Sequence, residues 1–218
     1  MQLEPTLTVS ELFYSIQGET SYAGSPCAFI RLTGCNLRCS YCDACYTYEE
    51  DGRQMLLDEI LAFTASYPAA LVAVTGGEPL LQENVYPLLK MLVSANRTVL
   101  LETNGSLGIS KVPGEVVKIL DLKCPDSGMH EQMDFKNVHF LSPRDEVKFV
   151  LSSRADYEWS VETIGKYRLD RTAQLLFSPV TDRLPASELA EWLLADQLPA
   201  RLQLQLHKIL WPGKTRGK

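Results

Sequence analysis

The sequence has no apolar run near the roughly eighteen residues that a membrane span requires. Its first residues, MQLEPTLTVSELF, lack a basic segment followed by an apolar one, so no export signal is expected and a cytoplasmic location is. Positive charge is short: 21 Lys and Arg face 27 Asp and Glu, for a net charge of -6. That balance argues against broad nucleic-acid binding, which rests on cations neutralising phosphates. The basic tail HKILWPGKTRGK is the local exception and is expected to be a solvated terminus. Repeats, low-complexity tracts and Gly/Ser linkers are missing, so residues 1–218 are expected to form one domain. Histidine is scarce, with only His130, His139 and His207.

A chain of 218 residues buries a core without covalent staples, so its six cysteines are not needed as disulfides. Under reducing conditions, clustered thiols indicate metal or redox chemistry. Four of the six, Cys35, Cys39, Cys42 and Cys45, fall within GCNLRCSYCDAC. Cys39, Cys42 and Cys45 begin a bacterial ferredoxin run, but Glu49 stands where the next cysteine belongs. Cys124-Pro125 supplies a remote fourth thiol for a four-cysteine iron–sulfur or zinc module. The other parse is C-x3-C-x2-C through Cys35, Cys39 and Cys42, which holds three irons of a [4Fe-4S] cube and leaves the fourth without a protein ligand. Cys27 is expected to be a small core residue.

Apolar runs bounded by turn residues predict strands near 12–14, 28–32, 71–74, 98–101, 116–120, 147–151, 174–177 and 202–206. Helical spacing predicts helices over 55–67, 84–95 and 157–167, and one after Pro185 opened by Ser187 and Glu188. Alternation of this kind predicts an α/β fold with a mostly parallel sheet. About six such strands and three or four helices fall short of a closed eight-fold barrel, so a partial, open TIM-like barrel is expected. Functional groups then gather at the carboxyl ends of the strands. The cysteine loop, Thr75-Gly-Gly-Glu-Pro79, Glu102-Thr-Asn-Gly105, Asp121-Leu-Lys-Cys-Pro125 and Ser178-Pro179 all follow predicted strands.

The C-x3-C-x2-C spacing, the aromatic Tyr41 before Cys42 and Gly76-Gly77-Glu78-Pro79 together resemble the radical S-adenosylmethionine enzymes. Ser15-Ile-Gln-Gly-Glu19, FIRLTGCNLRC, Glu102-Thr-Asn-Gly105, DLKCPDSGM, Glu146-Val-Lys-Phe-Val150 and Gln203-Leu-Gln-Leu-His-Lys208 narrow the resemblance to the 7-carboxy-7-deazaguanine synthase family, from about residue 10 to 212. That resemblance implies a radical SAM core and conversion of 6-carboxy-5,6,7,8-tetrahydropterin to 7-carboxy-7-deazaguanine with loss of ammonia, toward queuosine and other 7-deazapurines. It implies that a deoxyadenosyl radical takes hydrogen from C6 of the pterin and that the hydrogen returns to the cofactor.

The resemblance also assigns residues. Cys35, Cys39 and Cys42 would hold the [4Fe-4S] cluster. Tyr41, Asp43, Gly77, Asp121, Leu122, Lys123 and Ser178 would meet S-adenosylmethionine. Ile16, Gln17, Gly18, Glu19, Arg31, Thr75 and His207 would meet the pterin, with the planar fork of Arg31 suited to its carboxylate. Members typically carry a hydroxyl after the Asp that follows the third cysteine, as a magnesium ligand; Ala44 has none, which puts the Mg2+ that the resemblance implies in doubt and leaves Thr47, three residues on, as the nearest hydroxyl. A flavodoxin- or ferredoxin-type electron donor and a homodimer are implied partners. The alternatives are a glycyl-radical-enzyme activase and the four-cysteine module.

Overall fold

The computed structural model describes residues 4–218. β1 (Thr6–Ile16) and β2 (Pro26–Leu32) form an antiparallel hairpin in which Phe13 faces Phe29, their rings stacked at 4.6 Å. β3 (Arg53–Leu56) pairs antiparallel with the other edge of β1. From β2 onward β4 (Leu71–Gly76), β5 (Thr98–Thr103), β6 (Val117–Lys123), β7 (Glu146–Leu151), β8 (Gln174–Pro179) and β9 (Arg201–Leu202) follow in order, each parallel to the last. The order β3-β1-β2-β4-β5-β6-β7-β8-β9 never returns on itself, so the barrel is open, as expected.

Helices α2 (Leu57–Ala65), α3 (Val85–Ser94), α4 (Arg154–Tyr167) and α5 (Ala186–Ala195) belong to the crossovers, while α1 (Tyr46–Glu49) and α6 (Leu206–Leu210) are short. In α3 the buried residues Val85, Leu88, Leu89 and Leu92 recur at helical spacing, forming the stripe that meets the core. The β5–β6 and β6–β7 connections carry no α-helix, and 3₁₀ turns fill the second. Among the described residues no helix is long and apolar enough to cross a membrane.

Three local expectations change. Met55 belongs to edge strand β3 rather than to a helix, because 53–56 pairs with 6–9 and the Glu59 carboxylate caps Leu56 N–H at 2.8 Å. Pro185, with its fixed φ, precedes the first residue of α5, so Ser187 lies inside the first turn and caps nothing. The alternating stretch 202–206 is a strand only at Arg201–Leu202. There Gln203 N–H still reaches Phe177 O, but Leu206 N–H turns to Gly18 O at 2.9 Å and the chain winds into α6.

Period-two alternation sorts the parallel strands into two faces. Ala28, Ile30, Leu32, Val72, Val74, Val99, Leu101, Leu120, Leu122, Val147, Phe149 and Phe177 join the outer core with the helices. Cys27, Phe29, Leu71, Ala73, Leu100, Val117 and Ile119 fill the concave face. Continuing that inward series along each strand reaches Arg31, Thr75, Glu102, Asp121, Lys123 and Lys148, all on the wall of one cavity. Low in the barrel the concave face is thus mostly apolar, with the buried Glu146 tied to Ser21 as its exception, and it is charged toward the carboxyl ends.

Candidate active site

The cluster loop leaves β2 at Gly34, whose N–H donates to Thr47 O at 2.7 Å and whose carbonyl accepts Glu78 N–H at 2.7 Å. It is therefore pinned on one side to α1 and on the other to the glycine turn after β4. Cys35, Cys39 and Cys42 all line the cavity; Cys45 and Cys124 do not. Cys45 Sγ lies 3.2 Å from Cys42 O, and Cys124 is fully buried beside Ser160 Oγ at 3.5 Å. No set of three or more His, Cys, Asp or Glu among the described residues converges on one point, as a single zinc ion needs. Leu37 N–H points to Cys35 Sγ at 3.5 Å and Asn104 Nδ2 lies 3.8 Å from it, donors suited to an anionic sulfur. Burial pushes the Cys42 thiol up to about 12 and that of Cys39 above its usual value, so iron binding displaces their protons. These residues fit a cube held by three thiolates.

Glu78 of the GGEP turn faces inward to the protein. Its fully buried carboxylate accepts Leu80 N–H at 3.0 Å, Asn104 N–H at 2.7 Å and the Thr103 hydroxyl at 2.9 Å, tying the turn to the end of β5. Burial raises its pKa, and the donors hold the carboxyl in place. Glu78→Ala strands these donors, each worth about 1–3 kcal/mol when buried without a partner. A thermal midpoint lower by roughly 10 °C is expected by calorimetry.

At the other end of the cavity the β1–β2 loop brings Gln17, Gly18 and Glu19 together with α6. The space where a Gly18 Cβ would stand is taken by His207 Nδ1, so the absence of a side chain lets His207 approach. Gln17 is 2% exposed; its Oε1 accepts Glu19 N–H at 3.2 Å and its Nε2 has no partner among the described residues, leaving a buried donor for a ligand. Burial alone would raise the Glu19 carboxyl, but Lys148 Nζ at 2.6 Å and Gln205 Nε2 at 2.6 Å hold it below its usual value. Burial lowers the pKa of His207, favouring the neutral ring despite Glu19 and Asp43 nearby. Arg31 spends its Nε on Glu11 at 2.7 Å and lies 5.6 Å over the Phe13 ring. Its terminal nitrogens remain for a ligand. Thr75, opposite Arg31 in register, donates to Glu102 at 2.9 Å.

Ile16, Tyr41, Asp43, Ala44, Gly77, Asp121 and Lys123 also line this cavity, and the Tyr41 hydroxyl donates to Val150 O at 3.0 Å. Leu122 and Ser178 are not on its wall. Leu122 alternates into the outer core, and Ser178 is fully buried with an unpartnered hydroxyl. The tail is exposed over 212–216, as its composition predicts, yet it folds back onto the cavity. Lys214, Thr215 and Lys218 line the cavity and Gly217 N–H donates to Glu11 at 3.0 Å. Sequence reasoning gave no role to Glu102, Lys148 or Gln205. Glu102 and Lys148 lie in the motif segments 102–105 and 146–150 at inward-facing strand positions, and Gln205 lies in the motif segment 203–208 but beyond the end of β9, where strand periodicity gives no direction.

Residues 29–169 match the model of the radical SAM superfamily, so the fold and the three-thiol loop define a radical SAM enzyme. The 7-carboxy-7-deazaguanine synthase of Chlorobaculum tepidum is 44% identical over 220 residues covering all of both chains. That of Koribacter versatilis is 43% identical over 226 residues, covering 97% of this chain and all of the relative. The crystal structure of QueE from Escherichia coli, 22% identical, matches the fold with a TM-score of 0.76 over 92% of this chain and 94% of that one. The chain belongs to the 7-carboxy-7-deazaguanine synthase family. The activase and the non-catalytic four-cysteine module are set aside.

Proposed function

We infer that this chain converts 6-carboxy-5,6,7,8-tetrahydropterin to 7-carboxy-7-deazaguanine with release of ammonia. One observation carries the assignment: a single cavity is lined both by Cys35, Cys39 and Cys42 and by Gln17, Glu19, Arg31 and Thr75. Bound there, the [4Fe-4S] cluster and S-adenosylmethionine supply a deoxyadenosyl radical. The protein's own work is to bind and orient. Arg31 meets the substrate carboxylate, while Gln17 and Glu19 offer a donor and an acceptor to the guanidine-like edge of the pterin. Tyr41 and Gly77 flank the cofactor, and the neutral His207 closes the substrate end. Holding the reacting carbon at contact distance accounts for much of the rate such sites provide.

The residues do not fit magnesium. Ala44 has no side-chain oxygen, the Thr47 hydroxyl is spent on Ala44 O at 2.7 Å, and Asp43 pairs with Lys208 at 3.2 Å. Turnover is expected to be the same with magnesium or with EDTA. The exposed Leu202, Ile209 and Leu210 near the last strand support a homodimer, and the electron is taken from a flavodoxin- or ferredoxin-type donor.

Anaerobically reconstituted protein given pterin, S-adenosylmethionine and reductant is expected to release 7-carboxy-7-deazaguanine, read by mass; an intact cluster without product contradicts the assignment. Arg31→Met is expected to raise KM for the pterin roughly a hundredfold, the scale of losing a buried charge partner, with S-adenosylmethionine affinity unchanged in a titration.

A further inference from the structure

A lysine stands in the middle of the sheet with no part in the cluster or the pterin contacts above. Lys148 points inward from β7 with its side chain 8% exposed, a position whose desolvation costs several kcal/mol unless the charge is paired. Its Nζ lies 2.6 Å from Glu19 Oε2 and 3.1 Å from Asp121 Oδ2. The two carboxylates come from different elements and from the residues assigned to different ligands, yet both stand within 3.1 Å of the one ammonium. Glu19 sits in the β1–β2 loop against Gln205 and α6, at the pterin end. Asp121, on β6 with its Oδ1 3.0 Å from Lys123 Nζ, is among the residues assigned to the cofactor.

Among the described residues neither carboxylate accepts a main-chain hydrogen bond. Their positions are set by side chains, and Lys148 is the ammonium that touches both. An ammonium has three donors; among the described residues Lys148 hydrogen-bonds only Glu19, with Asp121 an ion-pair contact, so donor capacity is left for a ligand atom in the cavity that Lys148 lines. Lys118 shows what a purely architectural lysine looks like in this sheet. It is equally buried and pairs with Asp145 at 3.0 Å, but that carboxylate is anchored by the main-chain N–H groups of Lys118 and Ser142. Lys118 is not on the cavity wall.

We propose that Lys148 is a positioning residue that couples the two ligands: by holding Glu19 and Asp121 at a fixed separation, it makes binding at one end prepare the other. The inference rests on the functional assignment above. Coupling between sites is reciprocal, so each ligand tightens the other by the same factor, with roughly tenfold a typical size.

The experiment measures S-adenosylmethionine affinity of the cluster-loaded protein, by titration followed by electron paramagnetic resonance, with and without the pterin. Wild type is expected to bind S-adenosylmethionine about tenfold more tightly when the pterin is present. In Lys148→Met that gain falls to near one with cluster content unchanged, and Lys148→Arg restores part of it. Lys118→Met is expected to lower the thermal midpoint and keep the full gain. A Lys148→Met protein with the wild-type gain overturns the proposal, as does a wild type that makes product without any gain. If Lys148→Met takes up no cluster, Glu19→Gln, measured at pterin concentrations shown by direct titration to saturate that variant, carries the test from the other side of the ion pair. The proposal requires it to lose the gain, and retention overturns it. A wild type that makes no product fails the functional assignment first, before any variant is compared.

Discussion

Cys35→Ser, Cys39→Ser and Cys42→Ser are each expected to leave a folded protein without an intact cluster and with turnover reduced beyond about a thousandfold. The Cys45→Ser, Cys124→Ser double variant is expected to keep both cluster and activity. Serine is isosteric with cysteine, yet its hydroxyl is a poor ligand for iron that thiolate binds well. The asymmetry follows from position. Three thiols face the cavity, whereas Cys45 turns to the carbonyl of Cys42 and Cys124 is sealed beside Ser160. Iron analysis, the visible charge-transfer band and product formation check it. Loss of the cluster from the double variant, or its retention in Cys35→Ser, would reverse the ligand assignment.

Gly77→Ala is expected to cut kcat/KM about a hundredfold, the scale that follows from moving a reacting group by about 1 Å. The added methyl would fall on the carbonyl oxygen of Gly34 and stand 2.8 Å from Cys35 Cβ. Nothing there is the free end of a flexible side chain. Gly77 N–H is bonded to Leu32 O at 3.2 Å and Glu78 N–H to Gly34 O, so the turn cannot back away without releasing the cluster loop. Overpacking of this kind also costs about 1–3 kcal/mol of stability. Gly108, where an added Cβ meets nothing within 4 Å, supplies the control. Gly108→Ala is expected to leave both kcat/KM and the thermal midpoint unchanged.

Local signals made much of this site legible in the sequence. The spacing of Cys35, Cys39 and Cys42 is a property of one loop, and runs such as Leu71–Val74 announce buried parallel strands by composition alone. Strand periodicity also fixes which of Arg31, Thr75, Glu102, Asp121 and Lys148 face inward, once the ends of the strands are known. The pairing of Lys148 with Glu19 escapes this, because it spans 129 positions and two elements that only the folded sheet brings together. Within the GGEP motif the role of Glu78 also depends on the folded sheet. The motif's glycines approach the cluster loop, but Glu78 is a buried tie to β5. Around Leu206 the alternation of apolar and polar residues is compatible with a strand, and the deciding hydrogen bond to Gly18 lies 188 positions away. The tail reads as solvated because it is basic and terminal. Its acidic partners Glu11 and Glu50 lie far upstream.

The central claim is that one cavity holds the pterin's C6–H bond against a radical generated on the three-thiolate wall. Reconstituted protein supplied with pterin deuterated at C6 tests it most directly. Deuterium recovered in the 5′ carbon of S-adenosylmethionine, together with formation of 7-carboxy-7-deazaguanine, is the predicted result. Product formed with no deuterium in the cofactor would contradict it.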